Sequence, residues 1–543
     1  MSTKKHRVTA TRKPPIPQRQ VKHNLTTKHV FHFVHIPVWV ITFLLLWIYT
    51  SFIYGDVFYI CEQNTYVAFD RILEKEILDL WYGPLTFMGR FFLLSYKMPL
   101  LGGLLLSVIL TAVTWLATYC FRLPRWYKLS ALILPYGFLF YLAFQDLNVF
   151  YHDECGNVFS YSVCTLILLL IAAAVIRIKT KRPIPSPFSL HKEESARLQW
   201  AHAGCSLLLF ALLAFYAVQV RANTILTARL QHLMQDQKWD EMIELGVKAK
   251  QPTRPICAYY SVACAQTNQI TTKLFDIYYQ YPKFRLYNKS EDADVGTNYY
   301  QAECNFYAGL VCSSYHFNME QVVIEGLNVY RFKYMALACL VQNEIPLAEK
   351  YLNLIDKMPF ESAFVNKYRP YLYNRKLVLN DPNLAPVFDV LPVNDEIEQK
   401  FTLPMFLGYY TTLMRGRSTR ALVYSLSACL YTKDLPGFME RISAYQNAVG
   451  QQLPRNFEEC LMLYEMRTPE TFKIQNFDAY IVNTTRDLLN AGRSMPTKDS
   501  RIKGRALRDT YIGSYPFYYF YENVPDENYP QYLKKNIGNG KVN

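Results

Sequence analysis

The sequence predicts an all-α protein in two parts, an N-terminal transmembrane helix bundle of about five spans followed by a C-terminal domain of α-helical repeats. Three observations carry this expectation. Uncharged runs of hydrocarbon length are confined to the first 220 or so of the 543 residues. The charges flanking those runs alternate in sign along the chain. Beyond them, an Ala-Cys pair followed by a polar turn and a second apolar segment recurs three times. The composition agrees, at 51% hydrophobic and only 19% charged, apolar for a soluble chain of this length.

Residues 1–30 form a basic arm, with Lys4, Lys5, Arg7, Arg12, Lys13, Arg19, Lys22 and Lys28 and no acidic residue. Pro14, Pro15 and Pro17 make it a disordered arm by expectation. A basic arm beside a membrane span is first of all a topology signal. The arm therefore accounts for much of the net charge of +14 without nucleic acid. A membrane-crossing helix takes about 20 apolar residues, and the transmembrane domain, residues 31–222, supplies five such runs. They are residues 34–54, 100–121, 126–144, 158–178 and 201–220.

The connections between spans set the orientation. Asp56, Glu62, Asp70, Glu74, Glu76 and Asp79 follow the first span, and Arg122, Arg125 and Lys128 follow the second. Asp146, Asp153 and Glu154 follow the third, and Lys179, Lys181, Arg182, Lys192 and Arg197 follow the fourth. Lys and Arg stay on the cytoplasmic side, which places the N-terminus in the cytoplasm and residue 221 onward outside it. Residues 82–97 are apolar but broken by Arg90 and Lys97, so they are expected as an interfacial helix rather than a span. A crossing there would reverse the orientation of everything after it.

From residue 223 the chain reads as short helices joined by polar turns, with no period-two run long enough for a sheet. Ala263-Cys264, Ala338-Cys339 and Ala428-Cys429 each close a first helix before a polar turn and a second helix. In the middle copy Pro346 sits in the first turn of the second helix, where its missing N–H costs nothing. Residues 226–250, with Trp239 opening the second helix, read the same way. These units resemble tetratricopeptide repeats, with small residues late in the first helix, Ala in the second and Pro after it. The spacing departs from a strict repeat. The polar stretch 287–297 interrupts the domain, and the Pro-rich residues 381–397 are read as a linker between helical-repeat subdomains at 223–380 and 398–510. Residues 511–543 form an aromatic tail, expected to dock on the last repeat and cap it. The whole layout is similar to membrane families of unknown function from Gram-negative bacteria, in which a multi-span module carries a periplasmic helical-repeat domain. That resemblance implies location and architecture only.

Chemistry is sparse. No phosphate loop, dinucleotide fingerprint, nucleophile elbow or zincin motif occurs. No C-x-x-C occurs among twelve cysteines. Cys264, Cys339 and Cys429 are read as small buried residues at helix contacts. Disulfides are open for Cys257 with Cys264 or Cys304 with Cys312 only if the partners lie on different helices. His29, His32 and His35 at three-residue spacing could share a helix face as ligands, but residues at a membrane boundary ordinarily just sit in the headgroup layer. His152-Asp153-Glu154 lies in an outer loop, and Asp56 stands just outside the first span, the place of a catalytic Asp in lipid-linked glycosyltransferases. None of these is assigned as catalytic, cofactor-binding or metal-ligating. The leading expectation is a non-enzymatic module whose repeats form a concave, Tyr-lined surface for a periplasmic protein or peptide, with membrane lipid as its other partner. The alternative is a membrane-embedded glycosyltransferase-like enzyme using Asp56, Asp153 or Glu154.

Overall fold

The computed structural model describes residues 38–78, 82–124, 126–150, 155–181, 196–279, 300–391, 418–467 and 477–522. The basic arm, His29, His32, His35, Asp79, His152, Asp153, Glu154, the polar stretch 287–297, residues 392–397 of the linker and residues 523–543 of the tail lie outside them. The described chain is helical, with no strand among the described residues.

Helix α1 (Val38–Ile48) runs into a π-helical turn, Tyr49–Ile53, and the chain then bends by 62° into α2 (Gly55–Gln63). A polar side chain feeding back on the backbone accompanies the break. Thr50 Oγ1 donates to the Leu46 carbonyl at 2.9 Å and lies 3.1 Å from the Gly103 carbonyl. The first apolar run ends at this bend, and α2 beyond it carries Asp56 and Glu62. After α3 (Arg71–Leu78) comes α4 (Gly83–Leu93), closed by a 3-10 turn, Leu94–Lys97. At 11 residues α4 is about half the length of a crossing. Four helical stretches are long and apolar enough to cross a membrane: α5 (Pro99–Cys120), residues Trp126–Phe144 ending in α6 (Ile133–Phe144), α7 (Asn157–Thr180), and Leu198–Val220, which is α8 (Ala196–Phe215) with its π turn. The bent α1–α2 pair is the fifth candidate. Four of the five runs expected from the sequence are thus long apolar helices, and the first is matched if the bent pair is one span.

Small residues let these helices meet. A Cβ on Gly103 would stand 2.1 Å from Ser51 Oγ, and one on Gly89 would stand 2.0 Å from Ser160 Oγ. Both glycines therefore mark close approaches, of α5 to the first turn and of α4 to α7. Away from the core, Leu168, Ile171, Leu207 and Leu208 are more than half exposed, a surface that suits hydrocarbon rather than water.

The remainder is a series of helical hairpins: α9 (Ala222–Gln235) with α10 (Trp239–Val247), α11 (Arg254–Gln266) with the short α12 (Ile270–Lys273), α13 (Gln301–Tyr307) with α14 (Val311–Glu325), and α15 (Val329–Gln342) with α16 (Ile345–Asp356). After α17 (Ser362–Tyr368), α18 (Arg375–Asn380) and α19 (Ala385–Phe388) comes the hairpin α20 (Thr419–Tyr431) with α21 (Leu435–Val449), then α22 (Arg455–Arg467), α23 (Ala479–Ser494), α24 (Ser500–Tyr511) and α25 (Tyr515–Tyr521).

One turn geometry joins the hairpins. The first or second residue past the first helix is left-handed, at Gln237, Asn268, Gly309, Asn343 and Lys433. The next N–H then bonds back five residues, as in a Schellman motif: Lys238 to Leu233, Gln269 to Cys264, Leu310 to Asn305, Glu344 to Cys339 and Asp434 to Cys429, at 2.8–2.9 Å. The three recurring cysteines thus share one structural position, and all three are buried.

Many tyrosines of the hairpin domain are packed inside it, while Tyr373 and Tyr480 are exposed. Tyr259, Tyr260, Tyr279, Tyr330 and Tyr424 are at most 1% exposed. Burial of a phenol ring is favourable when its hydroxyl finds a partner, and helix-end carbonyls supply several: Tyr260 donates to Lys273 at 2.6 Å and Tyr279 to Leu274 at 2.7 Å. The aromatic tail also differs from a terminal cap. In α25, Tyr515 and Tyr518 are fully buried, and the Tyr518 ring lies 4.5 Å from Phe275, 5.5 Å from Tyr279 and 5.8 Å from Tyr431. It bridges helices far apart in sequence, and one hydrophobic cluster runs from Tyr66 to Tyr518.

Candidate functional site: a polar seam between bundle and hairpins

Asp56, Tyr59 and Gln63 recur at helical spacing and share one face of α2, while Val57, Phe58 and Ile60 are buried in the membrane bundle's core. The polar face meets the hairpin domain. At its first end Asp56 Oδ1 lies 2.7 Å from His232 Nδ1, and both carboxylate oxygens lie 3.4 Å from the Arg229 guanidinium. The Tyr59 ring stacks on His232 at 4.0 Å, and its hydroxyl donates to Gln235 at 3.0 Å. Arg229, His232 and Gln235 are successive turns of α9. Burial pushes the Asp56 carboxyl up, but the hydrogen bond from His232 and the charge of Arg229 outweigh it and hold the group below the usual carboxylate range.

At the other end Lys333 Nζ lies 2.8 Å from Glu361 Oε2 and donates to Gln63 Oε1 at 3.0 Å. Lys97, from the turn after α4, pairs with the same Glu361. Gln63 Nε2 donates to Glu62 Oε2, and Glu62 Oε1 is buried with no hydrogen-bond partner. Burial is the largest influence on the Glu62 carboxyl. Glu361 adds to it, Lys97 and Lys333 oppose it, and the result is a group pushed up to about 7. Glu361 itself is held low: its burial is outweighed by the two lysines.

Backbone and side-chain bonds continue the seam past Gln63. Val329 N donates to the Thr65 carbonyl at 3.2 Å, Asn328 Nδ2 to Asn64 Oδ1 at 3.3 Å, and Asn64 Nδ2 to the Phe150 carbonyl at 3.0 Å. Tyr66 donates to the Leu354 carbonyl at 2.7 Å, and Lys357 Nζ lies 2.7 Å from Asp70 Oδ2. Beyond α6, Asp146 takes Arg221 at 2.9 Å and also bonds Thr224.

Chemically the seam offers a carboxylate-oriented imidazole and a buried acid able to hold a proton near neutral pH. No cluster of three or more His, Cys, Asp or Glu that could hold a metal occurs among the described residues.

Residues 30–224 and 157–522 match the profile of a family of unknown function, DUF6057. The chain belongs to that family. No curated protein and no solved structure matches it.

Of the candidate residues in this DUF6057 chain, Asp56 is in the seam, bound to two basic groups rather than open to a cleft. Asp153 and Glu154 lie outside the described residues, so a convergence with Asp56 is not part of the described structure. Cys257 and Cys264 share helix α11 and Cys304 and Cys312 sit on α13 and α14, and no disulfide joins either pair in the structure. Sequence reasoning missed Glu62, Gln63, His232, Lys333 and Glu361 as partners. One signal was present: Lys333 stands in a largely apolar helix, VYRFKYMALACLVQ, and a cation in such a place needs a buried counter-charge. Arg331 in the same helix obeys the same rule, its guanidinium 3.3 Å from the buried Glu303.

Proposed function

We propose that this protein is a five-span inner-membrane anchor that presents its hairpin domain, tetratricopeptide-like in design, to a protein or peptide partner in the periplasm. One observation carries the reading. The segments that contact one another at the seam are those after the first span (Asp56 to Asp70), before the second (Lys97), after the third (Asp146 to Phe150) and after the fifth (Arg221). Spans that alternate in direction bring these ends to one side of the membrane, with α4 as a non-crossing helix. The charge alternation in the sequence then sets that side as the outer one.

Rigid attachment has a purpose in this reading. A domain fixed by ion pairs and backbone bonds keeps its binding face at a set height and angle, and a flexible tether would not. The test is a pair of reporters fused after residue 522, one active only outside the cytoplasm and one only inside it. Activity of the outer reporter alone is expected, and activity of the inner reporter alone overturns the orientation. For the partner, photo-crosslinkers at the exposed Tyr373 and Tyr480 in intact cells are expected to trap a discrete protein adduct. Absence of any adduct from a series of exposed hairpin positions overturns the interaction role.

The Asp56–His232 pair favours a second reading, an enzyme acting on lipid-linked sugar with that pair as acid and base. Asp56→Asn and His232→Gln each abolish envelope glycan transfer in that case, and unchanged glycan in both removes it.

A further inference from the structure

Two thiols from distant parts of the chain converge on one carbonyl oxygen. Cys61 Sγ, on α2, and Cys155 Sγ, just before α7, each lie 3.3 Å from the Val149 carbonyl oxygen. Atoms that close to a common third atom lie within two such lengths of each other, and Cys61 is also a hydrogen-bond neighbour of the Cys155 thiol. Both residues are fully buried, and the flanking turn is held by Asn64 donating to Phe150. Free buried thiols ordinarily serve as small apolar side chains. Here two meet inside the membrane bundle's core.

We propose that Cys61 and Cys155 are a disulfide-forming pair that locks α2 to the start of α7. The native bond rests on the outer-compartment reading above, since disulfides persist outside the reducing cytoplasm. The oxidant is a protein or small-molecule disulfide. One cysteine gives up its proton and its sulfur attacks a sulfur of the oxidant, whose S–S bond breaks and leaves as a thiol carrying that proton. The second cysteine sulfur then attacks the mixed disulfide, the Cys61–Cys155 bond forms, and the second oxidant sulfur leaves as a thiol. Two electrons and two protons pass to the oxidant. The thiols are buried in the finished fold, so the exchange belongs to folding, before α2 settles into the bundle. The completed bond is shielded from reductant in the same way.

The test uses the full chain recovered from membranes under acid quench, then denatured and alkylated before and after reduction. Mass spectrometry is expected to find the Cys61 and Cys155 peptides joined before reduction, and Cys61→Ser is expected to leave Cys155 alkylated. Alkylation of both cysteines in the unreduced wild type overturns the native bond. Unfolding that reduced chain and refolding it in detergent with dipyridyl disulfide present, so that both thiols are reachable, then separates the two causes. A Cys61–Cys155 link formed there leaves the pairing geometry standing and moves the failure to the compartment. No link, with each thiol instead carrying a pyridylthio group, overturns the pairing itself.

Discussion

Lys333 and Glu361 form an ion pair at 2.8 Å within the hairpin domain, and the carboxylate they share with Lys97 joins that domain to the membrane bundle. Glu361 is 3% exposed at its side chain, against 15% for Lys333 and 26% for Lys97. Removing one member of a buried pair costs more than the pair contributes, because the remaining charge stays desolvated. Glu361→Gln leaves two cations without their anion, and we expect it to destabilise the docked protein by about 3–5 kcal/mol. Thermal unfolding in detergent and protease susceptibility of the seam report this. Adding Lys333→Met to Glu361→Gln is expected to restore part of the loss, and equal instability of single and double variants refutes the pairing.

Glu62 sets a pH dependence. Its folded pKa, pushed up to about 7, lies above the ordinary 4.5. The folded state therefore holds a proton that the unfolded state has released between these values. The contribution is fully present below about 4.5 and is lost as pH rises through about 7. Melting temperature is expected to fall across that window. Glu62→Gln, which keeps a neutral polar group, is expected to flatten the fall, and an unchanged slope contradicts the assignment.

Gly103 tests the contact between the first turn and α5. Its missing side chain leaves room for Ser51, whose Oγ would lie 2.1 Å from an added Cβ. Gly103→Ala is expected to cost about 1–3 kcal/mol by overpacking, read as a lower melting temperature. Gly204, with nothing within 4 Å of its added Cβ, is the control, and Gly204→Ala is expected to be tolerated.

The aromatic helix α25 is structural. Tyr518 is fully buried and donates to the Tyr431 carbonyl at 2.5 Å. Tyr518→Ala is expected to cost about 3–5 kcal/mol, as large aromatic truncations do, and Tyr518→Phe about 1 kcal/mol for the lost hydrogen bond. Unfolding by denaturant distinguishes them. Equal stability of wild type and Tyr518→Ala would make α25 a surface appendage.

Asn343 tests the hairpin turn. At φ 65° it occupies the left-handed region, which a β-branched residue adopts at a cost of roughly 1–2 kcal/mol. Asn343→Val is expected to lose about that much, and Asn343→Gly to be neutral or slightly stabilising. Both are read from chemical denaturation.

The sequence by itself determined what short stretches of chain decide. Hydrocarbon-length runs and hairpins turning at Asn268, Asn343 and Lys433 depend on residues within about a span of one another, so composition and periodicity expose them. The tertiary structure alone decided which distant groups meet. Asp56 looked like an isolated carboxylate until α9 brought His232 beside it, and only packing set Tyr260 and Tyr279 against helix-end carbonyls while Tyr373 stayed exposed. Tyr518 looked like part of a terminal cap until it met Phe275. A lone charge or ring signals that it needs a partner, but many partners satisfy the same chemistry. Only packing the whole chain at once selects among them.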